Sequence, residues 1–127
     1  ISDGSVALIL ILDQLPLNMY RSDPKSFQTE TMAVEVALNA INNGYDEELN
    51  DEKLLFLFMP LMHSENIDHQ NLQVYLFEKY NFNLDFSKHH RDLVKRFGRF
   101  PHRNEILGRM STMEELDYLL SDNAFKG

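Results

Sequence analysis

The most chemically distinctive part of this sequence is residues 91–104, which hold five of the chain's twelve Lys and Arg residues in an otherwise acidic protein. Guanidinium groups donate paired hydrogen bonds to carboxylates and phosphates, and a helix that starts at Pro101 would add backbone N–H groups. This stretch could therefore bind an anionic ligand or a partner protein. The candidate binding residues are Arg91, Arg96, Arg99, His102, Arg103 and Asn104.

The same arginines could instead pair with carboxylates inside the protein. Asp13, Arg21 and Glu65 are the candidates for structural ion pairs, and the two acids are expected to bind guanidinium groups of the basic stretch. An unpaired buried charge is very costly, so arginines close to aromatic residues usually have internal partners. The sequence favours this structural network over a ligand site.

Two histidines and a carboxylate suggest an alternative function, a small enzyme such as a hydrolase that acts on an anionic small molecule. His63, Glu65 and His102 could exchange protons while the arginines hold the substrate. The sequence has no cysteine, no His-Glu-x-x-His spacing and no nucleophile elbow around Ser64, which are the patterns of covalent catalysis and of zinc proteases. We therefore expect no metal and no cofactor.

Length, charge and composition restrict the class of protein. A chain of 127 residues with 43% hydrophobic residues fits one domain with a single core. A net charge of −8 argues against nucleic-acid binding, because phosphate backbones attract Lys and Arg. The apolar run from Val6 to Leu12 is far shorter than the roughly 20 residues that span a bilayer. We expect no membrane insertion. A chain without cysteine fits the reducing cytoplasm, which is the default expectation, and it fits any other compartment equally well.

The spacing of apolar residues predicts an all-α protein, since no alternating strand pattern of useful length occurs. Helices are predicted at about residues 3–15, 24–43, 51–60, 67–80, 85–97, 102–107 and 111–120. The turns between them are short, so neighbouring helices are expected to be antiparallel. The segment Leu54–Met59 has no polar face and should be the buried centre, with a kink or break at Pro60.

The first and last helices carry further expectations. Pro16 is expected to end the first helix, whose buried face is predicted to contain Leu8, Leu12 and Leu15. The last helix begins with two overlapping capping boxes, Ser111 with Glu114 and Thr112 with Glu115. The residues expected to point inward from the last two long helices are Phe86, His90, Leu93 or Val94, Phe97, Leu116, Leu119 and Leu120.

Three blocks of the sequence resemble an uncharacterised family, domain of unknown function 924. The blocks are LDQLPLNMYR at residues 12–21, PLMHSE at 60–65, and HRD, RFGRFPHRN and LGR within 90–109. The resemblance implies an array of antiparallel helix pairs like that of tetratricopeptide (TPR) proteins, a right-handed superhelix. Because the family has no established activity, the resemblance implies none for this chain.

This sequence departs from the family pattern in two respects. Members usually have additional N-terminal helices before the first block, and they have Phe and a basic residue where this chain has Leu15 and Leu17. We therefore expect residues 1–127 to be a single helical domain that lacks the N-terminal helices of the full-length protein. The apolar face left open on the first helix could then support self-association; it would contain Val6, Leu8, Ile9 and Leu12.

The function favoured by these observations is a helical-repeat interaction module. Stacked helix pairs form a concave surface that binds a peptide or another protein. The small enzyme remains the alternative, since fold does not determine function.

Overall fold

A computed structural model describes residues 2–19, 23–27 and 29–125, and no strand occurs in these ranges. The α-helices are α1 (Ser2–Ile9), α2 (Leu15–Met19), α3 (Glu30–Asn42), α4 (Asp51–Met62), α5 (Ile67–Lys79), α6 (Leu84–Phe97) and α7 (Met113–Leu119). A π-helical turn, Leu10–Gln14, joins α1 to α2, and 3-10 turns lie at Pro24–Phe27, Tyr45–Glu48 and Pro101–Arg103. The prediction of an all-α protein is confirmed.

Helix α4 lies at the centre of the larger hydrophobic core. It contacts α1, α3 and α5, and the side chain of Asn50 caps it by accepting from the N–H of Lys53 at 3.0 Å. Leu54, Leu57 and Phe58 are at most 1% exposed. Leu55 is exposed and Phe56 and Met59 are half-buried, so the expectation that Leu54–Met59 is almost wholly buried holds for only three of its six residues. A smaller core packs α6 against α7 through Leu93, Val94, Phe100 and Tyr118.

The two prolines expected to stop or break helices lie inside them. Pro60 is buried within α4, which continues to Met62. Pro16 lies within α2, after a π turn in which the Leu15 N–H donates to the Leu10 carbonyl. In an α-helix the Leu12 carbonyl would accept from residue 16, which is proline and has no N–H. Instead it accepts the hydroxyl of Thr29, so this loss is compensated by a neighbouring element.

The N-terminal helical segment buries a different face from the predicted one. Ser5, Val6, Ile9 and Asp13 are buried, whereas the large side chains that follow the opposite face are exposed. We call these exposed residues the N-terminal stripe: Leu8 (49%), Ile11 (57%), Leu15 (47%) and Met19 (68%). The predicted buried face is therefore wrong for Leu8 and Leu15, whereas Leu12 is half-buried. Ile9 takes the inward position instead, because it enters the core that α1 shares with α3 and α4. Val6 and Ile9, which were expected in an open apolar face, are buried within the chain.

Three further predictions need correction. The predicted helix at 24–43 is divided into a 3-10 turn and α3, and the predicted helix at 102–107 is a 3-10 turn at Pro101–Arg103 followed by hydrogen-bonded turns. Helix α7 buries Glu115 and Tyr118 rather than a leucine face. The residues expected inside and found exposed are Phe86 (52%), Leu116 (43%) and Leu120 (87%).

Candidate functional site

The segment after α6 forms the centre of a polar cluster. Gly98 ends the helix in the left-handed conformation, with φ of 74°, and its N–H donates to the Val94 carbonyl at 2.8 Å. Glycine adopts this conformation at little steric cost. The chain then turns so that Arg99, Phe100 and Arg103 enter three separate sets of contacts. Each set joins this segment to a different part of the fold.

The first set joins Arg99 to the start of α7. Its guanidinium donates to both carboxylate oxygens of Glu115, at 2.8 and 2.9 Å, and to the Met110 carbonyl at 2.7 Å. Glu115 is 2% exposed and also closes a capping box with Thr112. The hydrogen bond from Arg99 is the largest of the interactions that lower the pKa of Glu115 to about 2. Glu115 is therefore an anion at neutral pH.

The second set joins the turn after α4 to the same segment. Arg109 donates to both oxygens of Glu65, at 2.8 and 3.0 Å, and the backbone N–H of Phe100 donates to Glu65 at 2.6 Å. Burial raises the pKa of Glu65, but the hydrogen bonds from Arg109 and Phe100 outweigh this effect and the net shift is downward. Glu65 already accepts three donors, so it is poorly suited to give up a proton at neutral pH.

The third set surrounds Arg103, which is 5% exposed. Its guanidinium donates to the His63 carbonyl at 2.6 Å and to Glu30 of α3 at 3.1 Å. It also lies over the rings of Phe27 and Phe100, at 4.3 and 5.0 Å from their centres. Burial raises the pKa of Glu30 more than the nearby Arg103 lowers it. One guanidinium therefore connects α3, the turn after α4 and the Pro101–Arg103 turn.

Asn104 connects the first two sets. Its side-chain amide donates to the Ser111 hydroxyl at 3.0 Å and to Glu115 at 3.3 Å, while its carbonyl oxygen accepts from Arg109 at 3.0 Å. Asn104 is 1% exposed, so these bonds replace water that it has lost. Of the two predicted capping boxes, α7 forms the one between Thr112 and Glu115, because Thr112 is the residue that caps the helix.

The π turn places a second pair of polar residues close to this cluster. Asp13 is 4% exposed, and both of its oxygens lie 3.1 Å from Nδ1 of His63, which is 22% exposed. Gln14 donates to the same carboxylate at 2.7 Å. A carboxylate that holds Nδ1 of a histidine fixes the orientation of the ring, which is the arrangement of a general base and its orienting acid.

Two other histidines lie among aromatic rings. The ring of His90 lies 4.7 Å from that of Phe125 and 5.5 Å from that of Phe100, and His102 lies 4.8 Å from Phe125. His90 is 2% exposed, which confirms the prediction that it points inward, and its Nδ1 lies 3.0 Å from the Phe86 carbonyl. Nδ1 of His102 is buried without a hydrogen-bond partner. Burial lowers the pKa of both histidines to about 4.

We expect these two histidines to make the fold sensitive to mild acid. An unfolded histidine titrates near 6.5, so between pH 6.5 and 4 the unfolded chain binds more protons than the folded one, and stability falls as the pH falls. By pH 5 the loss is on the order of 2 kcal/mol for each histidine. Urea unfolding at pH 7 and pH 5 measures it. In the double variant His90→Gln, His102→Gln the free energy of unfolding should differ clearly less between pH 7 and pH 5. A wild type that is equally stable at the two pH values would contradict this account.

The structure brings together most of the predicted site residues with partners that differ from those expected. Arg99 and Arg103 were expected to contact Asp13, Glu65 or a backbone carbonyl, and each does donate to a carbonyl, that of Met110 and that of His63. Their carboxylate partners differ from the expected ones: Glu115 pairs with Arg99 and Glu30 with Arg103, while Glu65 pairs with Arg109. Each acid lies close to a different guanidinium only after the helices have packed. Arg21 lies outside the described residues.

Two predicted residues do not join the cluster. Arg96 is exposed and lies over the Phe97 ring at 4.5 Å, in the groove between α6 and α7. Arg91 pairs with its neighbour Asp92 on the surface at 3.0 Å.

Four residues of the cluster were not predicted from the sequence. They are Glu30, Arg109, Ser111 and Glu115. Arg109 belongs to the LGR motif and Glu115 to a predicted capping box, so the sequence around them could have indicated a role. No sequence pattern around Glu30 indicates one.

Two negative findings apply to the described part of the chain. No group of three or more His, Cys, Asp or Glu residues there could hold a metal ion. Among the same residues, none of the helices has both the length and the apolar character needed to cross a membrane.

Comparison with known proteins identifies similar chains without a known activity. The sequence model of a family described as "Bacterial protein of unknown function (DUF924)" matches residues 2–123. A solved structure of a protein of unknown function from Agrobacterium tumefaciens is 38% identical, with a TM-score of 0.87; the match covers 94% of this chain and 68% of that chain. No curated protein matches.

Proposed function

This chain belongs to the DUF924 family of bacterial proteins of unknown function, and because that family supplies no activity we propose a function from the molecule's own surfaces. The protein is an interaction module that works in the cytoplasm and binds other protein chains through exposed apolar helix surfaces. Its arginine cluster is a structural connection between helices and its helix pairs are antiparallel, as in a TPR-like array. Contacts between consecutive helices α3 to α6, joined by short turns, support this arrangement.

One observation carries the proposal: the first and last helical segments expose large apolar side chains. The N-terminal stripe is one such surface. The second, here called the α7 face, is more exposed and contains Met110 (90%), Met113 (75%), Leu116 (43%) and Leu120 (87%). Single exposed apolar residues are normal, but grouped ones mark interaction sites.

The state of the arginine cluster supports the same conclusion. The guanidinium groups of Arg99, Arg103 and Arg109 each bind a carboxylate and a backbone carbonyl of the protein. A substrate anion would have to displace these partners and leave the buried Glu115 without its cation, which is costly. The cluster is therefore better suited to join helices than to bind a ligand.

The N-terminal stripe is the surface to which we assign self-association. No Lys, Arg, Asp or Glu belongs to it, and the exposed Asp3 nearby is paired with Lys53 at 2.7 Å. Two copies could therefore bring their stripes together without opposing like charges.

Site-specific photo-crosslinking in bacterial cells that produce the protein tests the proposal. We expect benzoylphenylalanine at Leu116 to capture discrete protein adducts, and at Ile11 to capture an adduct of twice the chain's mass. The matched control is Tyr75, an exposed side chain (61%) on α5 outside both surfaces. Absence of adducts at both test positions, or the same adducts at Tyr75, would contradict an interaction function.

One observation favours the alternative, a small enzyme that acts on an anionic molecule. The Asp13–His63 pair has the geometry of an oriented general base, and His63 is partly exposed. His102 is a weaker candidate, because burial keeps it neutral and it makes no described hydrogen bond to His63 or Glu65. If the protein is such an enzyme, phosphate or a small dicarboxylate should bind it and raise the melting temperature of the wild type. The same anions should leave the melting temperature of Arg99→Ala unchanged.

A further inference from the structure

The α7 face has a charge distribution that specifies its partner. Exposed carboxylates surround its apolar side chains, and we call them the acidic rim: Glu105, Glu114, Asp117 and Asp122. No ion pair is found for these four among the described residues. The two ionised groups nearby that do have partners are Arg109, bound to Glu65, and Glu115, bound to Arg99.

A cleft lies beside this face. It has a volume of about 570 Å³, and it separates the Pro101–Arg103 turn from α7. Leu116, Leu119 and Phe125 form its apolar wall. Its polar lining consists of Glu105, Ser111, His102 and Arg109, and the charge of Arg109 is already paired with Glu65. A cleft of this size admits large side chains of a partner.

We propose that the α7 face binds an amphipathic helix that carries Lys and Arg on both sides of its apolar stripe. Met113, Leu116 and Leu120 follow each other at spacings of three and four residues, so they form one ridge along α7. A partner helix laid beside this ridge would place an apolar side chain in the cleft and its cations against the acidic rim. Methionine side chains are flexible and polarisable, so Met110 and Met113 can adapt to different apolar residues.

The acidic rim also argues against a second copy of this chain as the occupant. Two α7 faces brought together would oppose their carboxylates, and like charges across an interface are unfavourable. The N-terminal stripe, which has no such rim, is the surface to which we assigned self-association. This inference rests on the proposed interaction function and adds the chemical class of the partner.

Fluorescence anisotropy with a labelled 18-residue peptide of Lys and Leu in helical spacing tests the inference. We expect micromolar binding that weakens as salt is added, because salt screens the rim. Leu116→Glu and Met113→Glu should each weaken binding at least tenfold. Met32→Glu, at a position 49% exposed on α3, is the matched control and should leave affinity unchanged. Circular dichroism melting confirms that each variant is folded.

A second comparison isolates the charges. The double variant Glu114→Gln, Asp117→Asn should weaken binding several-fold. The control is the double variant Glu35→Gln, Glu78→Gln, which removes the same number of charges from exposed positions on α3 and α5. It should leave the affinity for the peptide unchanged.

Three results would overturn the inference. A peptide of Glu and Leu could bind as tightly as the peptide of Lys and Leu, or Leu116→Glu could bind the Lys and Leu peptide as tightly as the wild type does. Light scattering could also show self-association of the wild type that Leu116→Glu abolishes. If the peptide fails while crosslinks at Leu116 persist, the partner class is wrong and the interaction function stands. If crosslinks are absent at both test positions, the interaction function itself fails.

Discussion

Replacing Arg103 by alanine is expected to lower the free energy of unfolding by about 3–5 kcal/mol, because the half-buried Glu30 loses its cation and the His63 carbonyl loses its donor. Arg103 is 5% exposed, and it donates to Glu30 and to the His63 carbonyl. The substitution also uncovers the ring faces of Phe27 and Phe100. Urea unfolding followed by circular dichroism at pH 7 measures the loss.

Two other variants make this result specific. Arg96→Ala is the matched control, since Arg96 is exposed and belongs to no ion pair in the described ranges; its replacement should change stability by no more than about 0.5 kcal/mol. Arg103→Lys keeps the charge but cannot reproduce the planar set of donors, so we expect an intermediate loss. A loss below about 1 kcal/mol for Arg103→Ala would show that Glu30 and His63 find other partners, and the structural role of the cluster would then be untenable.

Phe58→Ala is expected to destabilise the larger core by about 3–5 kcal/mol. Phe58 is fully buried in α4, and its ring lies 6.1 Å from Phe77, 5.9 Å from Tyr80 and 6.4 Å from Phe82. Removing it leaves a cavity between α4 and α5 and ends these ring contacts, which add to the effect of apolar burial. The same urea experiment measures the change.

Leu55→Ala provides the control on the same helix. Leu55 is 37% exposed, so its replacement should cost clearly less than that of Phe58. Equal losses for the two variants would mean that α4 does not bury the face described for it.

The sequence by itself determined the features that depend on neighbouring residues. Helical spacing predicted the all-α class, and one of the two predicted capping boxes, Thr112 with Glu115, is formed at the start of α7. Helix caps and apolar spacing act within a few residues of the chain, so they can be read from sequence. The burial of Leu54, Leu57 and Phe58 followed from the same local pattern.

Only the tertiary structure decided which charges pair and which apolar faces remain open. Arg103 and Glu30 are 73 positions apart, and Asp13 and His63 are 50 apart, so no local spacing relates them. The position of Pro16 inside a helix also depends on a distant contact, because the Leu12 carbonyl accepts a hydrogen bond from Thr29. On the last helix Glu115, bound by Arg99 and Asn104, is buried, whereas Leu116 is exposed. A buried carboxylate satisfied by several donors orients its helix, and those donors are brought together only when distant segments pack.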